Sequence, residues 1–247
     1  MFDLTGRVAF VTGAGQGMGA GVALALAAHG AAVAVNDLFE DRAAATVAAI
    51  VAAGGRAVVA MADVRDRGAV DAAIDLTEAS FGTVDVLVHN AGIPTDGFPL
   101  DRFRTLDPSN WDRWMAVNYT GMLNTAKRVI DGMCEQRFGR IIFVSSEAGR
   151  TGMGMGVACY GAAKAATMQF CRHLAIETAR DGVTVNSIAL GRMSANIVTS
   201  DIVRAVPPVG RMGTPTDVAA ACVYLASNEA SFVTGQTIGV NGGSVTS

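Results

Sequence analysis

The chain has 247 residues, of which 51% are apolar and 17% are charged, and its formal net charge is −3. This length suits one large α/β domain or two small ones, and the apolar fraction is enough for a sizeable core. Because the sequence carries no basic stripe, neither nucleic acid nor an anionic membrane surface is expected as a partner.

An uncharged stretch at residues 8–36 is long enough to cross a bilayer. Six glycines interrupt it, and a spanning helix is rarely broken so often. We therefore interpret it as a buried strand, a loop and a buried helix. The N-terminus lacks the basic start and cleavage site of a signal peptide, and we expect a soluble, cytoplasmic protein.

The four cysteines show no C-x-x-C spacing, and three histidines accompany them. Neither a zinc site nor a disulfide framework is predicted from this pattern. Buried free thiols in a reducing cytosol are the simplest interpretation, and no metal is expected.

Strand-like and helix-like segments alternate along the chain. Short apolar runs predict strands at residues 7–11, 31–35, 57–61, 84–88, 140–144, 184–188 and 237–240. Helical spacing predicts helices at residues 17–29, 41–53, 66–80, 111 to about 136, 158–180 and 215–226. This alternation implies a parallel sheet of about seven strands covered by helices on both faces. Because no linker divides the chain, we expect one domain, with residues 192–213 as a loop over the site.

A glycine-rich loop, T-G-A-G-Q-G-M-G at residues 12–19, follows the first predicted strand and opens a helix. Glycines let the backbone turn tightly and let phosphates approach it. The helix start offers free N–H groups and the positive end of its dipole to a pyrophosphate. A glycine loop by itself is a weak signal, but this context favours dinucleotide binding by Gly13, Gln16, Gly17, Met18 and Gly19.

Asp37, followed by Leu38, lies at the end of the second predicted strand, 20 residues after Gly17. A carboxylate there can accept hydrogen bonds from both ribose hydroxyls of adenosine. It would repel a 2′-phosphate, since two unit charges about 4 Å apart interact by roughly 1–4 kcal/mol near a surface. Arg42 is the nearest cation in sequence, and Gln16 adds no positive charge. We predict NAD over NADP; the alternative is a solvated acid at a strand end.

Tyr160 and Lys164 are spaced i, i+4 on a predicted helix and therefore share one face. A tyrosine with its ordinary pKa of about 10 is a poor base at neutral pH. A nearby ammonium favours the phenolate, so the pair could exchange a proton with an alcohol oxygen while a hydride moves to nicotinamide. By itself this spacing usually marks an exposed helix face.

Together these motifs make the chain resemble the short-chain dehydrogenase/reductase family over essentially its whole length. The family's motifs are matched, in order, by Thr12, Gly13, Gly17 and Gly19; Asp63 and Val64; Asn90, Ala91 and Gly92; Asn118; Ser146; Tyr160 and Lys164; and V-N-G-G at residues 240–243. The resemblance implies a single-domain Rossmann-type fold. Residues 1 to about 140 would bind the cofactor, and residues from about 141 to 247 would carry catalysis and substrate binding.

The resemblance also implies roles for these residues. Ser146 would hold and polarise the substrate oxygen, and Tyr160 would be the general acid/base. Lys164 would hold the nicotinamide ribose and lower the pKa of Tyr160, while Asn118 would anchor a proton-relay water. Asp63 would contact adenine. Ser145 is an alternative to Ser146, which we prefer because Gly149 follows it by three residues.

The chain departs from the family pattern at several points. The spacing from Ser146 to Tyr160 is one residue longer than usual, within the glycine- and methionine-rich stretch at residues 152–156. Leu190 and Gly191 stand where the family has Pro-Gly, so the nicotinamide carboxamide is expected to be held differently. The threonine that often meets it has no clean match at Ser194 or Ala195. His89 and Asn186 are interpreted as polar strand residues.

The regions expected to shape the substrate pocket are apolar, and they contain Ile93, Phe98, Met153, Met155, Met193, Ile197 and Val198. They favour an apolar alcohol or ketone, cyclic or acyl-bearing, although each side chain could equally belong to the core. The preference for NAD favours alcohol oxidation. The alternatives are a catalytically silent dinucleotide-binding sensor or scaffold, and a sugar epimerase or dehydratase, which usually needs a longer substrate domain. The resemblance implies a homotetramer paired through residues 111–136 and 158–180.

Overall fold

The computed structural model describes residues 1–94, 97, 100–194 and 206–246. Seven strands form one sheet in the order β3-β2-β1-β4-β5-β6-β7, and each adjacent pair is parallel. The strands are β1 (Val8–Val11), β2 (Ala32–Val35), β3 (Arg56–Val59), β4 (Val86–His89), β5 (Gly139–Ser146), β6 (Val183–Leu190) and β7 (Thr237–Val240). The predicted Rossmann-type α/β fold is therefore confirmed.

Helices cover both faces of the sheet. They are α1 (Gly17–Ala28), α2 (Glu40–Ala52), α3 (Arg67–Phe81), α4 (Trp111–Met115), α5 (Gly121–Glu135), α6 (Ala158–Thr178) and α7 (Pro215–Ala226). Among the described residues, no helix is both long and apolar enough to cross a membrane.

Two apolar layers lie on opposite faces of the sheet. On one face α1, α2 and α7 bury side chains such as Leu26, Ile50 and Val218. On the other face α3, α5 and α6 bury side chains such as Ile74 and Met122. Because both faces are covered, the central strands are apolar on both sides, which explains why they were visible in the sequence as continuous apolar runs.

The strand order reverses at β1, which pairs with β2 on one side and with β4 on the other. The connections leaving β1 and β4 therefore run to opposite faces, and a crevice opens at the carboxyl ends of these strands. Such a reversal is where open α/β sheets bind their ligands. The glycine loop follows β1, and Asn90 follows β4 at this crevice.

The helical stretch predicted at residues 111–136 is present, and it contains one irregularity that the sequence did not predict. A π-helical turn (Ala116–Thr120) lies between α4 and α5. Inside this turn the side chain of Asn118 donates hydrogen bonds to the carbonyls of Trp114, at 3.0 Å, and of Gly92, at 2.9 Å. A side chain that enters the helical ladder is a recognised cause of such irregularity.

One strand boundary differs from the prediction in a way that matters for the site. β5 continues two residues beyond the predicted end and finishes at Ser146. β2 ends at Val35, as predicted, and Asp37 lies in the connection that follows it. Pairing with β6 carries β5 through both serines, since Ser145 and Ser146 are in register with Ala189 and Leu190.

Candidate functional site

The glycine loop has the conformation that its composition suggests. Gly13 and Gly17 have φ angles of +59° and +57°, which residues with a side chain rarely adopt. A Cβ atom on Gly19 would run into the carbonyl of Gly13 and lie 2.6 Å from Nδ2 of Asn90. The third glycine is therefore required for close packing between the helix start and the loop.

The amino end of α1 is electrostatically prepared for an anion. Gln16 precedes α1 and makes no capping hydrogen bond through its side chain. The first turn of α1 contains no acidic residue. Gln16 is exposed, whereas Met18 packs against the core. The free N–H groups and the positive dipole end of the helix fit a pyrophosphate.

Asp37 lies beside the glycine loop and is 7% exposed. Its carboxylate accepts hydrogen bonds from the backbone N–H of Gly15, at 3.0 Å, and of Phe39, at 3.1 Å. The guanidinium of Arg42 lies 4.3 Å from the centre of the Phe39 ring. Leu38, the next residue in the chain, is 38% exposed.

The segment after β4 holds the glycine loop in place. The hydroxyl of Thr12 accepts hydrogen bonds from the backbone N–H groups of Asn90, at 2.9 Å, and Ala91, at 3.0 Å. The side chain of Asn90 donates to the carbonyls of Thr12 and Gly13, both at 3.1 Å. His89 is buried, with Nδ1 lying 3.1 Å from the hydroxyl of Thr125, which agrees with its interpretation as a polar strand residue.

Asp63 and Val64 follow β3 at the outer part of the crevice. Asp63 forms an ion pair with Arg65, whose Nη2 lies 2.6 Å from the carboxylate, and this contact lowers the pKa of Asp63. Val64 is buried and faces Gly121. An adenine that contacted Asp63 would share the carboxylate with Arg65.

Ser146, Tyr160 and Lys164 come together at the carboxyl end of β5. A hydrogen bond joins the phenol of Tyr160 to the side chain of Ser146. The ammonium of Lys164 donates to the carbonyl of Val144 at 2.7 Å and lies 5.8 Å from the centre of the Tyr160 ring. Ser145 instead donates its hydroxyl to the carbonyl of Lys164 at 3.0 Å. The geometry thus favours Ser146 over Ser145 as the serine facing Tyr160.

Asn118 and Gly92 close the site from the side of β4. Asn118 is buried, and its Oδ1 atom finds no hydrogen-bond partner within the described residues. A Cβ atom on Gly92 would lie 2.6 Å from that oxygen and 2.8 Å from the ammonium of Lys164. Glycine at this position therefore keeps both groups accessible to a polar ligand, and a buried orphan acceptor is typical of a site that binds one.

Burial dominates the ionisation of these groups. Loss of hydration lowers the pKa of Lys164 to about 7 and raises the pKa of Tyr160, which the hydrogen bond from Ser146 partly offsets. Burial, and then the nearby charge of Lys164, lower the pKa of His89 to about 3. His89 is therefore neutral at physiological pH, and Lys164 changes charge near pH 7.

Sequence reasoning did not find Trp114 as part of this site. Its ring packs edge-on against Tyr160, with 5.3 Å between ring centroids, and it is 4% exposed. The sequence did offer one indication. Trp114 lies four residues before Asn118, and this spacing places both side chains on one face of a helix.

Several of the remaining candidates fall away from the cluster or outside the described residues. Asn186 bonds to the backbone of Val233 and Gln236 within the sheet, and Met193 packs against the core. Ile93 and Met153 are 44% and 38% exposed. The positions outside the described residues are Phe98, Ala195, Ile197 and Val198.

Comparisons with known proteins identify similar sequences over nearly the whole chain. Residues 13–245 match the family model described as enoyl-(acyl carrier protein) reductase. The chain is 41% identical to a 3-oxoacyl-(acyl-carrier-protein) reductase from Synechocystis sp., covering 99% of both chains. It is 36% identical to the (2S)-((R)-hydroxy(phenyl)methyl)succinyl-CoA dehydrogenase subunit BbsD from Thauera aromatica, covering 97% of both chains.

A solved structure is also similar over nearly the whole chain. The gluconate 5-dehydrogenase from Burkholderia cenocepacia, determined in complex with NADP and tartrate, superposes with a TM-score of 0.90 at 33% identity. The match covers 98% of this chain and 96% of that one.

Replacing Lys164 with Met should stabilise the protein most at or below pH 7. Lys164 has a pKa of about 7 when folded and an ordinary value of 10.5 when unfolded. Below pH 7 the charged lysine must be buried, and this cost disappears as pH rises towards 10.5. The difference in unfolding free energy between Lys164→Met and wild type, measured with urea from pH 6 to 9.5, should therefore shrink as pH rises.

Lys127, the other lysine of the chain, provides the matched control, because its side chain is 60% exposed. Lys127→Met should show no comparable trend over this pH range. A difference for Lys164→Met that stayed constant with pH would contradict the lowered pKa.

Proposed function

The chain belongs to the short-chain dehydrogenase/reductase family of oxidoreductases, and we propose that it transfers a hydride between NAD(H) and a secondary alcohol or ketone. The observation that carries this proposal is the contact of Tyr160 with both Ser146 and Lys164 beside the glycine loop. The cofactor, when bound, supplies the carbon that accepts or gives the hydride. The residues of the chain then have to move one proton and hold one oxygen.

In the direction of oxidation, Tyr160 takes the proton of the substrate hydroxyl, and Ser146 holds the same oxygen by a hydrogen bond. In the direction of reduction, Tyr160 returns a proton to the oxygen as charge develops on it. Both roles need the phenol and the serine side chain within reach of one atom, and their mutual hydrogen bond supports this.

Lys164 has two tasks in this proposal. A positive charge close to the Tyr160 ring favours the phenolate, which opposes the effect of burial on the pKa of Tyr160. Hydroxyl groups of a bound ribose would give the buried ammonium further hydrogen-bond partners and so favour its charged form. Asn118 would anchor the water through which the proton leaves, and the unpartnered Oδ1 atom supports a polar ligand there.

Tyr160→Phe should reduce kcat by roughly 10²–10⁴-fold, the usual contribution of general acid–base catalysis. NADH affinity should change little, because the ring remains and the glycine loop is untouched. The measurement is nicotinamide absorbance with NAD and a panel of secondary alcohols, together with NADH binding by fluorescence titration.

Tyr119→Phe is the matched control, since Tyr119 lies in the π-helical turn and packs against Phe170. It should retain near wild-type turnover. If the Tyr160 variant turned over like wild type, the assignment of the acid/base would fail. If no substrate were found while NADH still bound, the catalytically silent sensor would become the better explanation.

The preference for NAD rests on Asp37. Its carboxylate is fixed by two backbone N–H groups at the edge of the glycine loop, where a 2′-phosphate would meet a negative charge. Arg42 lies over the Phe39 ring. The NADP bound to the Burkholderia dehydrogenase makes NADP the competing candidate, and a rotation of Arg42 is how this chain would have to accommodate it.

Asp37→Ser should weaken NADH binding by about ten- to hundredfold, because charged hydrogen bonds contribute roughly 1.5–3 kcal/mol. NADPH binding should tighten in the same variant. Asp41→Ser controls for a general loss of negative charge, since Asp41 is exposed at the start of α2. Wild-type protein that bound NADPH as tightly as NADH would overturn the preference.

For the substrate, we propose an apolar alcohol or ketone that is cyclic or acyl-bearing. Ile93 directly follows Gly92 in the chain, and its exposed apolar side chain supports this class. The relatives named for 3-oxoacyl-(acyl-carrier-protein) and for a succinyl-CoA derivative make the acyl-bearing form the first to test. The preference for NAD favours alcohol oxidation as the working direction.

We propose that the chain is one domain whose two parts have different tasks. Residues 1 to about 140 would hold the cofactor, and the remainder would carry catalysis, with the substrate loop at about residues 192–213. All four cysteines are free thiols, two of them buried, which suits work in a reducing cytoplasm.

We also propose a homotetramer that pairs through the helices at residues 111–136 and 158–180. Ile176 on α6 is 78% exposed, and an interface along this helix would bury it. Light scattering should give a mass about four times that of the 25.3 kDa chain. Ile176→Glu should lower this mass.

Val51→Glu is the control for the assembly, because Val51 is 55% exposed on α2, away from both helices. It should leave the mass unchanged. A wild-type monomer would refute the proposed assembly.

A further inference from the structure

We propose that Trp114 is a positioning residue for the proton-transfer group: its indole fixes the ring of Tyr160, and its backbone carbonyl fixes Asn118. This inference rests on the proposed function, in which Tyr160 moves the proton. It assigns a task in the reaction to a side chain that lies outside the family motifs of the sequence.

The indole of Trp114 packs against the ring of Tyr160. The two ring centroids are 5.3 Å apart, and the ring planes meet at 67°, which is a favourable edge-to-face arrangement. Trp114 is 4% exposed. Its large side chain therefore excludes water from one side of the tyrosine, while Ser146 and Lys164 lie near other parts of the same ring.

The backbone of Trp114 makes a second connection. Its carbonyl accepts the 3.0 Å hydrogen bond from Asn118, whose side chain also bonds to the carbonyl of Gly92. A shift of Trp114 would thus move both the tyrosine ring and the amide beside Lys164. Trp114 thus contacts α6 and the π-helical turn directly, and it is connected to the segment after β4 through Asn118.

The surroundings of Trp114 hold its indole closely. The guanidinium carbon of Arg113 lies 5.7 Å from the centre of the Trp114 ring. The cavity that borders the indole has a volume of about 10 Å³, which is too little for the ring to move into, and it is lined among others by Leu106, Gly156 and Cys159. A smaller residue at position 114 would enlarge this cavity and allow the tyrosine to turn away from Ser146.

The chain provides a close comparison in its other tryptophan. Trp111 lies one turn earlier in α4, is 44% exposed and stacks on Phe103 with 5.8 Å between centroids. It shares the helix and the residue type with Trp114, but its ring is partly exposed and stacks on Phe103. Variants at position 111 therefore measure what loss of an indole from α4 does in general.

The first test compares kcat and KM of Trp114→Leu, Trp114→Phe and Trp111→Leu, using a substrate found for the wild type. Trp114→Leu keeps an apolar side chain without an aromatic ring and should lower kcat by about ten- to hundredfold with little change in KM, since a displacement of ~1 Å can cost about 10²-fold. Its pH profile of kcat should also shift, because the hydration of Tyr160 changes. Trp114→Phe should recover most of the rate, and Trp111→Leu should stay within about threefold of wild type.

Circular dichroism and thermal unfolding establish that each variant is folded before its rate is interpreted. A folded Trp114→Leu variant with the rate and pH profile of Trp111→Leu would overturn the proposal. Equal losses in the Leu and Phe variants would do the same, because an aromatic ring would then be irrelevant.

The second test needs no turnover and separates this inference from the proposed function. The protein is labelled with 5-fluorotryptophan, and Trp111→Phe assigns the two fluorine resonances. Tyr160→Leu should move the resonance of Trp114 and leave that of Trp111 in place. If the Trp114 resonance did not respond, the ring contact would be absent and the proposal would fail, even in an active enzyme. If it responded in a protein without activity, the contact would stand and the proposed function would be at fault.

Discussion

The burial of the Lys164 ammonium is the constraint on which the rest of the site depends. A lysine inside a protein gives up its hydration, and here the hydrogen bond to the carbonyl of Val144 and the nearby Tyr160 ring replace part of it. The incomplete replacement is why its pKa falls to about 7. Charging Lys164 is costly without a ligand, and a polar ligand would supply further hydrogen bonds to its ammonium. In the proposed function, binding of the cofactor would therefore favour the charged lysine that proton transfer needs.

The fold buries the Lys164 ammonium by bringing β5, α6 and the segment after β4 together at one edge of the sheet. β5 supplies the carbonyl of Val144 and the side chain of Ser146, and α6 supplies Tyr160 and Lys164 on one face. The segment after β4 supplies Gly92, which leaves room for the ammonium. The same segment fixes the glycine loop through Asn90 and Thr12. The regions proposed to bind the dinucleotide and to move the proton are thus joined by three residues after β4, so neither can shift independently of the other.

Most of the fold was accessible from the sequence because its signals are local. Buried parallel strands appear as apolar runs, and Tyr160 and Lys164 show a shared helix face through their spacing. The π-helical turn was not accessible, because it depends on Asn118 reaching the carbonyl of Gly92, a residue 26 positions earlier in the chain. The ion pair of Asp63 with Arg65 was not accessible either. The family motif identifies the position of Asp63, but it does not predict which side chain will contact its carboxylate.

Ser145 and Ser146 are adjacent in the sequence, but they make different tertiary contacts. Both follow the same apolar strand, and the sequence favoured Ser146 through the spacing to Gly149. In the structure, alternation along β5 turns the two side chains to opposite sides: Ser145 bonds to the backbone of Lys164, and Ser146 meets the phenol of Tyr160. Gly149 has its own reason to be glycine, because a Cβ atom there would lie 2.7 Å from the backbone nitrogen of Ala165 in α6. This close approach brings the turn after β5 against α6, and with it Ser146 towards Tyr160. The glycine that marked the serine in the sequence is thus part of the physical cause of its position.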